Sequence, residues 1–260
     1  MRVVVAVIFP SVLLFGLVAC YPIFIPVSPS PTITTKHPIV TSTPTIVWFP
    51  PTSTNTPLPT ATLSITPTLD TRPEYGNLIF TDNFLDSSFW TVSQTAIGRI
   101  VTGKQELCLA IDQPQGYLYS LRRDTQLDDY YLEITASPSL CRGDDEYGLL
   151  LRVSPSLDFY RFGLTCNGKV RVDRILNGVA SSSTPPTLSG AVPPGAPSSS
   201  RIAVWAQSED ILFYVNGEYL FSIRDTVLLK GGLGLYARAA GEEAMTVNFS
   251  DLAIYLTNKQ

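Results

Sequence analysis

Short apolar and aromatic runs repeat from Tyr75 onward, and no other feature of the chain constrains its fold as strongly. Gly, Asn, Asp and Pro separate the runs at intervals of about 8 to 12 residues, which is typical of short antiparallel strands. No run keeps the period of about 3.6 residues that an amphipathic helix needs. The pattern therefore predicts an all-β domain over residues 74–260, a two-sheet antiparallel sandwich around a single core.

Two Asn-Gly dipeptides predict hairpins, because such tight turns need positive φ, which glycine adopts without strain. Asn167-Gly168 joins FYRFGLTC to KVRVDRI, and Asn216-Gly217 joins ILFYV to EYLFSI. A third hairpin is predicted between YGLLLRV and DFYRFGLT, turning near residues 155 and 156. In that hairpin Glu146 roughly faces Thr165.

The segment before the strands has a different composition. Residues 21–73 contain 12 of the 21 prolines and 14 threonines, with only three Asp, Glu, Lys or Arg residues. Such a segment cannot bury enough apolar surface to offset its ordering entropy, and proline favours extended polyproline II. We therefore predict a disordered, semi-rigid linker over residues 20–73.

The first 19 residues are typical of a secretory signal peptide, with one basic residue, the apolar core VVVAVIFPSVLLFGLVA and small residues at its end. An uncleaved anchor is the competing interpretation, but the run is short for a bilayer span and Pro10 interrupts it. Leu17-Val18-Ala19-Cys20 resembles the bacterial lipobox, in which the cysteine is acylated and becomes the new N-terminus. The resemblance implies a lipidated Cys20 that holds the protein at the bacterial cell surface or the extracytoplasmic face of the membrane.

Four cysteines occur, and lipidation of Cys20 leaves at most one internal pair. Cys141 comes shortly before EYGLLLRV and Cys166 ends DFYRFGLT, so the hairpin between these strands would bring the two together. Disulfides persist outside the cytoplasm. We predict a Cys141–Cys166 disulfide with Cys108 free, while a pair involving Cys108, and no bond at all, remain open.

The C-terminal third contains ILFYVNGEYLFSI, GGLGLYARA and VNFSDLAIY, preceded by DNFLDSSFW and DFYRFGLTCNGKVRVDRI. This series resembles the laminin-G-like and 3-keto-disaccharide-hydrolase-like group of concanavalin A-like proteins over residues 77–255. The resemblance implies a jelly-roll sandwich and leaves the function open, because this superfamily includes lectins, hydrolases and adhesion modules. The chain departs from that group around residues 181–200, where its members often carry a Trp and a short strand.

Residues 177–200, NGVASSSTPPTLSGAVPPGAPSSS, are rich in proline and poor in large apolar side chains. Loops of this length are either functional or disordered. Because this one offers no aromatic or charged group to a ligand, we predict disorder.

Charge and motif content exclude several functions. A net charge of −4 without basic clusters argues against nucleic acid as a partner, because phosphate binding needs clustered Lys or Arg. A single histidine, His37, disfavours His-based chemistry. The E-x-D-x-x-E strand of glycoside hydrolase family sixteen does not occur, nor does a nucleophile elbow, a P-loop or zinc-ligand spacing. We predict no catalytic residue.

One acidic cluster has a second interpretation. Asp144, Asp145 and Glu146 are adjacent, and neighbours in a strand face opposite ways, so they do not form a paired catalytic site. A solvated turn is the simpler interpretation. Their oxygen atoms could also bind Ca²⁺, the one cofactor that the sequence suggests.

Alternation in four strands gives a candidate ligand face. Aliphatic residues share one side of each strand, and the other side carries Arg152, Arg161, Trp205, Tyr236 and Arg238. If the four strands share a sheet, these five residues form its outer face. Aromatic rings stack on the C–H faces of sugars, and guanidinium groups bond hydroxyls or carboxylates. The simpler interpretation covers Trp205 with the proline-rich loop and places the arginines in ordinary surface pairs.

These patterns support three functional hypotheses. The first is a surface lipoprotein that binds a glycan or a cell-wall polymer without catalysis. The second is an adhesion or structural module that binds other proteins, and the third is a hydrolase that acts on glycosides. The expected partners are the membrane, through Cys20, and a glycan or cell-wall polymer.

Overall fold

The computed structural model describes residues 72–258, which form fifteen β-strands and no α-helix. The predicted all-β fold of two antiparallel sheets is confirmed. A 3₁₀ turn occupies Ser87–Phe89. The strands are β1 (Tyr75–Asp82), β2 (Ser93–Gln94), β3 (Gly98–Gly103), β4 (Glu106–Ile111), β5 (Tyr117–Leu121), β6 (Tyr130–Leu140), β7 (Glu146–Val153), β8 (Phe159–Thr165), β9 (Lys169–Leu176), β10 (Val179–Leu188), β11 (Ser200–Gln207), β12 (Asp210–Val215), β13 (Glu218–Arg224), β14 (Gly232–Arg238) and β15 (Met245–Thr257).

The predicted signal peptide over residues 1–19, the lipidated Cys20 and nearly all of the 20–73 linker lie outside the described residues. Within residues 72–258 no helix has the length and apolar character needed to cross a membrane.

The strands pair mostly with partners that are distant in sequence. The nine-stranded sheet has the order β13-β12-β11-β6-β15-β4-β3-β2, and β1 also pairs with β15. The six-stranded sheet has the order β10-β9-β8-β7-β14-β5. β15 is 13 residues long because its first half pairs with β4 and its second half with β1, while β6 pairs along its other side. These crossing connections give the jelly-roll sandwich.

One apolar core fills the space between the sheets. Alternate residues of most strands enter it, such as Leu149 and Leu151 of β7. Aromatic rings cross from sheet to sheet, with the ring centroids of Phe162 and Phe213 lying 4.6 Å apart. Full burial of one such side chain contributes about 1.5–3 kcal/mol. The core therefore holds the sheets face to face and leaves each with one outer face.

The predicted hairpins occur at the predicted positions. Glu146 pairs with Thr165 across β7 and β8. Gly168 has φ 83° in the β8–β9 turn, and Asn216 and Gly217 have φ 53° and 81° between β12 and β13. In the β12–β13 turn, positive φ at both central residues matches the twist of the flanking strands, which is why Asn-Gly is favoured there.

Cys141 and Cys166 form the predicted disulfide, with Cα atoms 5.8 Å apart. The bond joins the β6–β7 connection to the β8–β9 turn at one end of the six-stranded sheet. Cys108 is free and half-buried on β4, and burial raises the pKa of its thiol.

The prediction of a disordered loop over residues 177–200 is wrong. Val179–Leu188 forms β10, which pairs with β9 at the edge of the six-stranded sheet. Two register shifts occur along this pair, and the second, between Thr184 and Thr187, spans Pro185 and Pro186, which lack an N–H group. Beyond the strand Val192 is buried, and Gly195 N donates to the carbonyl oxygen of Cys166 at 2.7 Å. Backbone pairing therefore orders a segment that has few large side chains.

Candidate functional site

The outer face of the six-stranded sheet carries a group of charged and aromatic side chains, here called the charged face. The side chains project at alternate positions, opposite the aliphatic residues that enter the core. Cross-strand pairing places Arg238 beside Glu146 and Arg161 beside Asp173. The members are Tyr117, Tyr119, Glu146, Arg161, Arg171, Asp173, Tyr236 and Arg238.

Two carboxylates and three guanidinium groups form one network on this face. Arg161 Nη2 donates to Asp173 Oδ2 at 2.6 Å, and Arg171 Nη2 donates to Asp173 Oδ1 at 2.7 Å. Arg238 Nη2 donates to Glu146 Oε2 at 3.3 Å. Arg161 Nε lies 3.9 Å from Glu146 Oε1, so Arg161 links the two carboxylates.

The anionic and cationic side chains of the network differ in their exposure to solvent. The side chains of Glu146 and Asp173 are 0% and 1% exposed. Those of Arg161, Arg171 and Arg238 are 16%, 21% and 37% exposed. Solvent therefore meets the guanidinium groups, and the carboxylates lie beneath them.

The arginines keep Asp173 ionised. Burial alone would raise the pKa of this carboxyl, but hydrogen bonds from Arg171 and Arg161 outweigh burial and hold the pKa below its ordinary value of 3.8. Burial raises the pKa of Tyr117 to about 12, although the charge of Arg161 acts in the opposite direction. At neutral pH the face therefore presents anchored guanidinium groups and a protonated phenol.

Tyr236 supports the charged face from below. Its hydroxyl donates to Glu146 Oε1. The buried ring lies 5.8 Å from the Tyr117 ring and 5.8 Å from Arg161 Cζ. Gly163 provides the space, because a Cβ there would lie 2.3 Å from both Glu146 Oε1 and the Tyr236 hydroxyl oxygen. Glycine at this position therefore allows the carboxylate to lie directly on the sheet.

An apolar recess adjoins the tyrosines of the charged face. The Tyr119 ring is 39% exposed, and its centroid lies 6.0 Å from that of Tyr117. A flat apolar surface therefore lies next to the guanidinium groups. The recess has a volume of about 110 Å³ and is lined by Tyr117, Tyr119, Leu121, Leu150, Val153, Leu157 and Phe159.

Three of the five residues predicted for the ligand face lie together on the charged face: Arg161, Tyr236 and Arg238. Sequence reasoning missed the two tyrosines of β5 and the Arg171–Asp173 pair of β9. The same alternation could have found them, since GYLYSLR places both tyrosines on one side of its strand. KVRVDRI likewise alternates valines with charged residues.

Arg152 does not lie on this face, and its assignment there is wrong. β7 has a bulge opposite the start of β14, and Arg152 has φ 53° at that bulge. A bulge shifts the alternation by one residue, so the side chain turns inward and is fully buried. Arg152 Nη1 donates to the carbonyl oxygen of Leu228 at 2.9 Å. Burial raises the pKa of nearby Tyr130 to about 12, while the Arg152 charge acts in the opposite direction.

Trp205 lies on the other sheet, so its assignment to the same face is also wrong. β11 pairs with β6 and β12 in the nine-stranded sheet. Trp205 is half-buried there in a group of outward-facing apolar residues, here called the aromatic face. Its members are Tyr75, Tyr131, Trp205, Leu212, Tyr214, Tyr219 and Tyr255.

The structure does not bring Asp144, Asp145 and Glu146 together as metal ligands. Asp144 is exposed and pairs with Lys169 at 3.1 Å. Asp145 accepts backbone N–H groups from the β6–β7 and β14–β15 connections. Glu146 belongs to the charged face. The three side chains point to different partners because they are consecutive, and residues 72–258 contain no cluster of three potential metal ligands.

No protein-family model and no curated protein matches the chain. Solved structures share its fold. A protein of unknown function with a galectin-like fold from Bacillus subtilis has a TM-score of 0.57 and 14% identity, covering 72% of this chain and 99% of its own. The catalytic domain of an endo-1,3-beta-glucanase (laminarinase) from Thermotoga petrophila has a TM-score of 0.53 and 9% identity, covering 72% and 100%.

A β-glucanase from Bacillus licheniformis has a TM-score of 0.52 and 13% identity, covering 71% of this chain and 100% of its own. At such identities the similarity concerns the fold. The chain has the jelly-roll sandwich that its sequence resemblance implies.

Proposed function

We propose that this domain binds a glycan or another surface polymer through the charged face. The observation that carries the proposal is that three guanidinium groups share one face of the sheet with the exposed Tyr119 and an apolar recess. Rings stack on apolar C–H faces of sugars, and guanidinium groups donate to sugar oxygens. Arg161 and Arg238 make direct contacts in this proposal. Tyr236 acts beneath them by holding Glu146.

The carboxylates of the charged face favour binding over hydrolysis. A glycosidase needs one carboxyl group that donates a proton and a second that acts as base or nucleophile. Glu146 and Asp173 are the two carboxylates that the strands of this face carry within residues 72–258, and both are buried in ion pairs. The lowered pKa of Asp173 makes it a poor proton donor. We therefore assign no catalytic role to either.

The shared fold supports a glycan as the ligand class. The laminarinase and the β-glucanase are glycan-acting proteins by name, and their domains superpose on this one over most of its length. The same fold hosts other functions, so the chemistry of the charged face is what favours a glycan over a protein partner.

Binding to soluble polysaccharides, measured by affinity electrophoresis, tests the proposal. Tyr119→Ala should weaken binding by roughly fivefold, because it removes a stacking ring. Tyr219→Ala is the matched control. Its ring is 44% exposed against 39% for Tyr119, and it lies 5.5 Å from the ring of Tyr214 on the aromatic face. Equal loss in both variants, or loss only in Tyr219→Ala, would remove the charged face as the site.

We also propose that a lipid on Cys20 displays the domain at the membrane. The support is the lipobox-like Leu17-Val18-Ala19-Cys20 after an apolar core. Cys20→Ser should move the protein out of the membrane fraction, because the acyl chains supply the anchor. Cys108→Ser, which removes the free thiol of the domain, should leave fractionation unchanged. A Cys20→Ser protein that stays in the membrane at the wild-type level refutes the anchor.

A further inference from the structure

We infer that the charged face selects polysaccharides with anionic groups, either uronate carboxylates or sulfate esters, over neutral glycans. The inference rests on the proposed function and specifies its ligand class. It follows from the charge of the face, from the hydrogen-bonding capacity of its arginines and from the position of its tyrosines.

The charge of the face is positive where a ligand arrives. Three guanidinium groups lie over two carboxylates, in a chain whose net charge is −4. Because the carboxylates are at most 1% exposed, an approaching polymer meets the cations first. Exposed like charges of this kind attract anions and repel cationic polymers.

The arginines have donors that the two carboxylates do not use. The Nε atoms of Arg161, Arg171 and Arg238 are buried and have no hydrogen-bond partner among the described residues, so a ligand meets the terminal Nη groups. Arg238 bonds Glu146 through a single Nη atom at 3.3 Å, longer than the bonds to Asp173, and its side chain is 37% exposed. An exposed Nη group of a guanidinium suits an anionic carboxylate or sulfate oxygen, to which it donates a charge-assisted hydrogen bond, better than a neutral hydroxyl.

The tyrosines lie at the distance of one sugar from this cation. Tyr117 is the direct cross-strand partner of Arg238, and Tyr119 is the partner of Tyr236. Tyr119 is therefore the diagonal neighbour of Arg238, about 7–8 Å away across the pair. One sugar unit stacked on Tyr119 can place a charged substituent against Arg238. A neutral unit in the same position would leave the guanidinium with Glu146 as its one anionic partner among the described residues.

Paired polymers that differ in charge test the inference. The first pair is polygalacturonate and its fully methyl-esterified form, and the second is dextran sulfate and dextran. Equilibrium binding to the full chain should be at least tenfold tighter for the acidic member of one pair. Raising the salt concentration should weaken that binding, because exposed charges are screened. The two pairs also distinguish a carboxylate ligand from a sulfate ligand.

Two arginine variants locate the effect. Arg238→Gln should weaken binding of the acidic polymer about tenfold and leave any binding of the neutral polymer unchanged. Arg201→Gln is the control, because the Arg201 side chain is 32% exposed and pairs with Glu133 on the other sheet. Arg238→Lys should retain part of the affinity, since it keeps the charge and loses the planar fork.

The outcomes separate this inference from the proposed function. Equal affinity for acidic and neutral polymers, with binding still lost in Tyr119→Ala, overturns the anionic selectivity and retains glycan binding. Failure to bind any polymer overturns both. Equal loss in Arg238→Gln and Arg201→Gln overturns the inference, because it shows attraction by overall charge rather than by this face.

Discussion

The two outer faces of the sandwich use the same residue types and differ in what covers them. On the charged face the carboxylates are buried, and the guanidinium groups and the Tyr119 ring face solvent. On the aromatic face Arg201 Nη2 bonds Glu133 at 2.9 Å, and the Tyr75 ring stacks on Tyr131 with centroids 4.5 Å apart. The start of β1 therefore covers part of the aromatic face. Alternation brings aromatic and charged groups to both outer faces. The segment that covers a face determines which of these groups a partner can reach.

The largest expected difference concerns the disulfide, which lies at one end of the sheet of the charged face. Replacing both Cys141 and Cys166 by Ser opens a covalent loop with a sequence separation of 25. The free energy of unfolding should fall by about 3–4 kcal/mol in the chain-entropy view. Urea unfolding measures it, with Cys108→Ser on the other sheet as control. A comparable loss in Cys108→Ser would contradict this difference between the sheets.

A buried carboxylate can be removed from either face. Asp173→Asn should lower the free energy of unfolding by about 2–3 kcal/mol, because two guanidinium groups lose their shared acceptor. Glu133→Gln should cost about 1 kcal/mol, since its partners Arg72 and Arg201 are 29% and 32% exposed. The amide oxygen can still accept the hydrogen bond from the buried Tyr131 hydroxyl. Thermal unfolding of the two variants measures the difference. Equal losses of unfolding free energy would mean that burial does not make the Asp173 ion pairs more stabilising than those of Glu133.

The pH dependence of stability tests the contribution of the Asp173 ion pairs. The pKa of Asp173 is lower in the folded chain than its ordinary value of 3.8, so its ionised form contributes stability above that pH. The contribution is lost as the pH falls through the lower folded value. The stability gap between wild type and Asp173→Asn should therefore stay constant from neutral pH to about pH 5 and narrow below pH 3.8. A stability difference that stays constant well below pH 3.8 would mean that the ion pairs of Asp173 do not cause it.

The smallest expected effect is at Trp205. The indole is half-buried on the aromatic face, so acrylamide should quench it partially. The difference between wild type and Trp205→Phe isolates its emission from that of the other tryptophans. A polysaccharide bound to the charged face should leave this quenching unchanged. Protection of Trp205 by the ligand would move the binding site to the aromatic face.

Strands, hairpins and the disulfide could be predicted because they depend on local patterns. Apolar alternation locates most of the strands, although not β10. Asn-Gly marks the β8–β9 and β12–β13 turns, and the turn near residues 155 and 156 sets Glu146 opposite Thr165. Register in turn brings Cys141 close to Cys166. Each of these steps uses neighbours in sequence or a single hairpin.

The site could be predicted only in part because it depends on pairings between distant strands. Alternation gives the side of Trp205 within β11 and does not indicate which sheet contains β11. At Arg152 one bulge residue reverses the side on which the arginine lies, and the bulge is set by the contact with β14. Whether Glu146 would lie under arginines depends on β8, β9 and β14 together. No short stretch of sequence contains that information.

β10 also determines how the sheet ends. Nine of its ten residues are exposed, and Pro185 and Pro186 have no N–H to offer a further strand. An unprotected sheet edge templates pairing between molecules, and prolines and small polar side chains suppress it. The proline-rich strand that covers β9 should therefore disfavour pairing with a further strand at this end of the sheet.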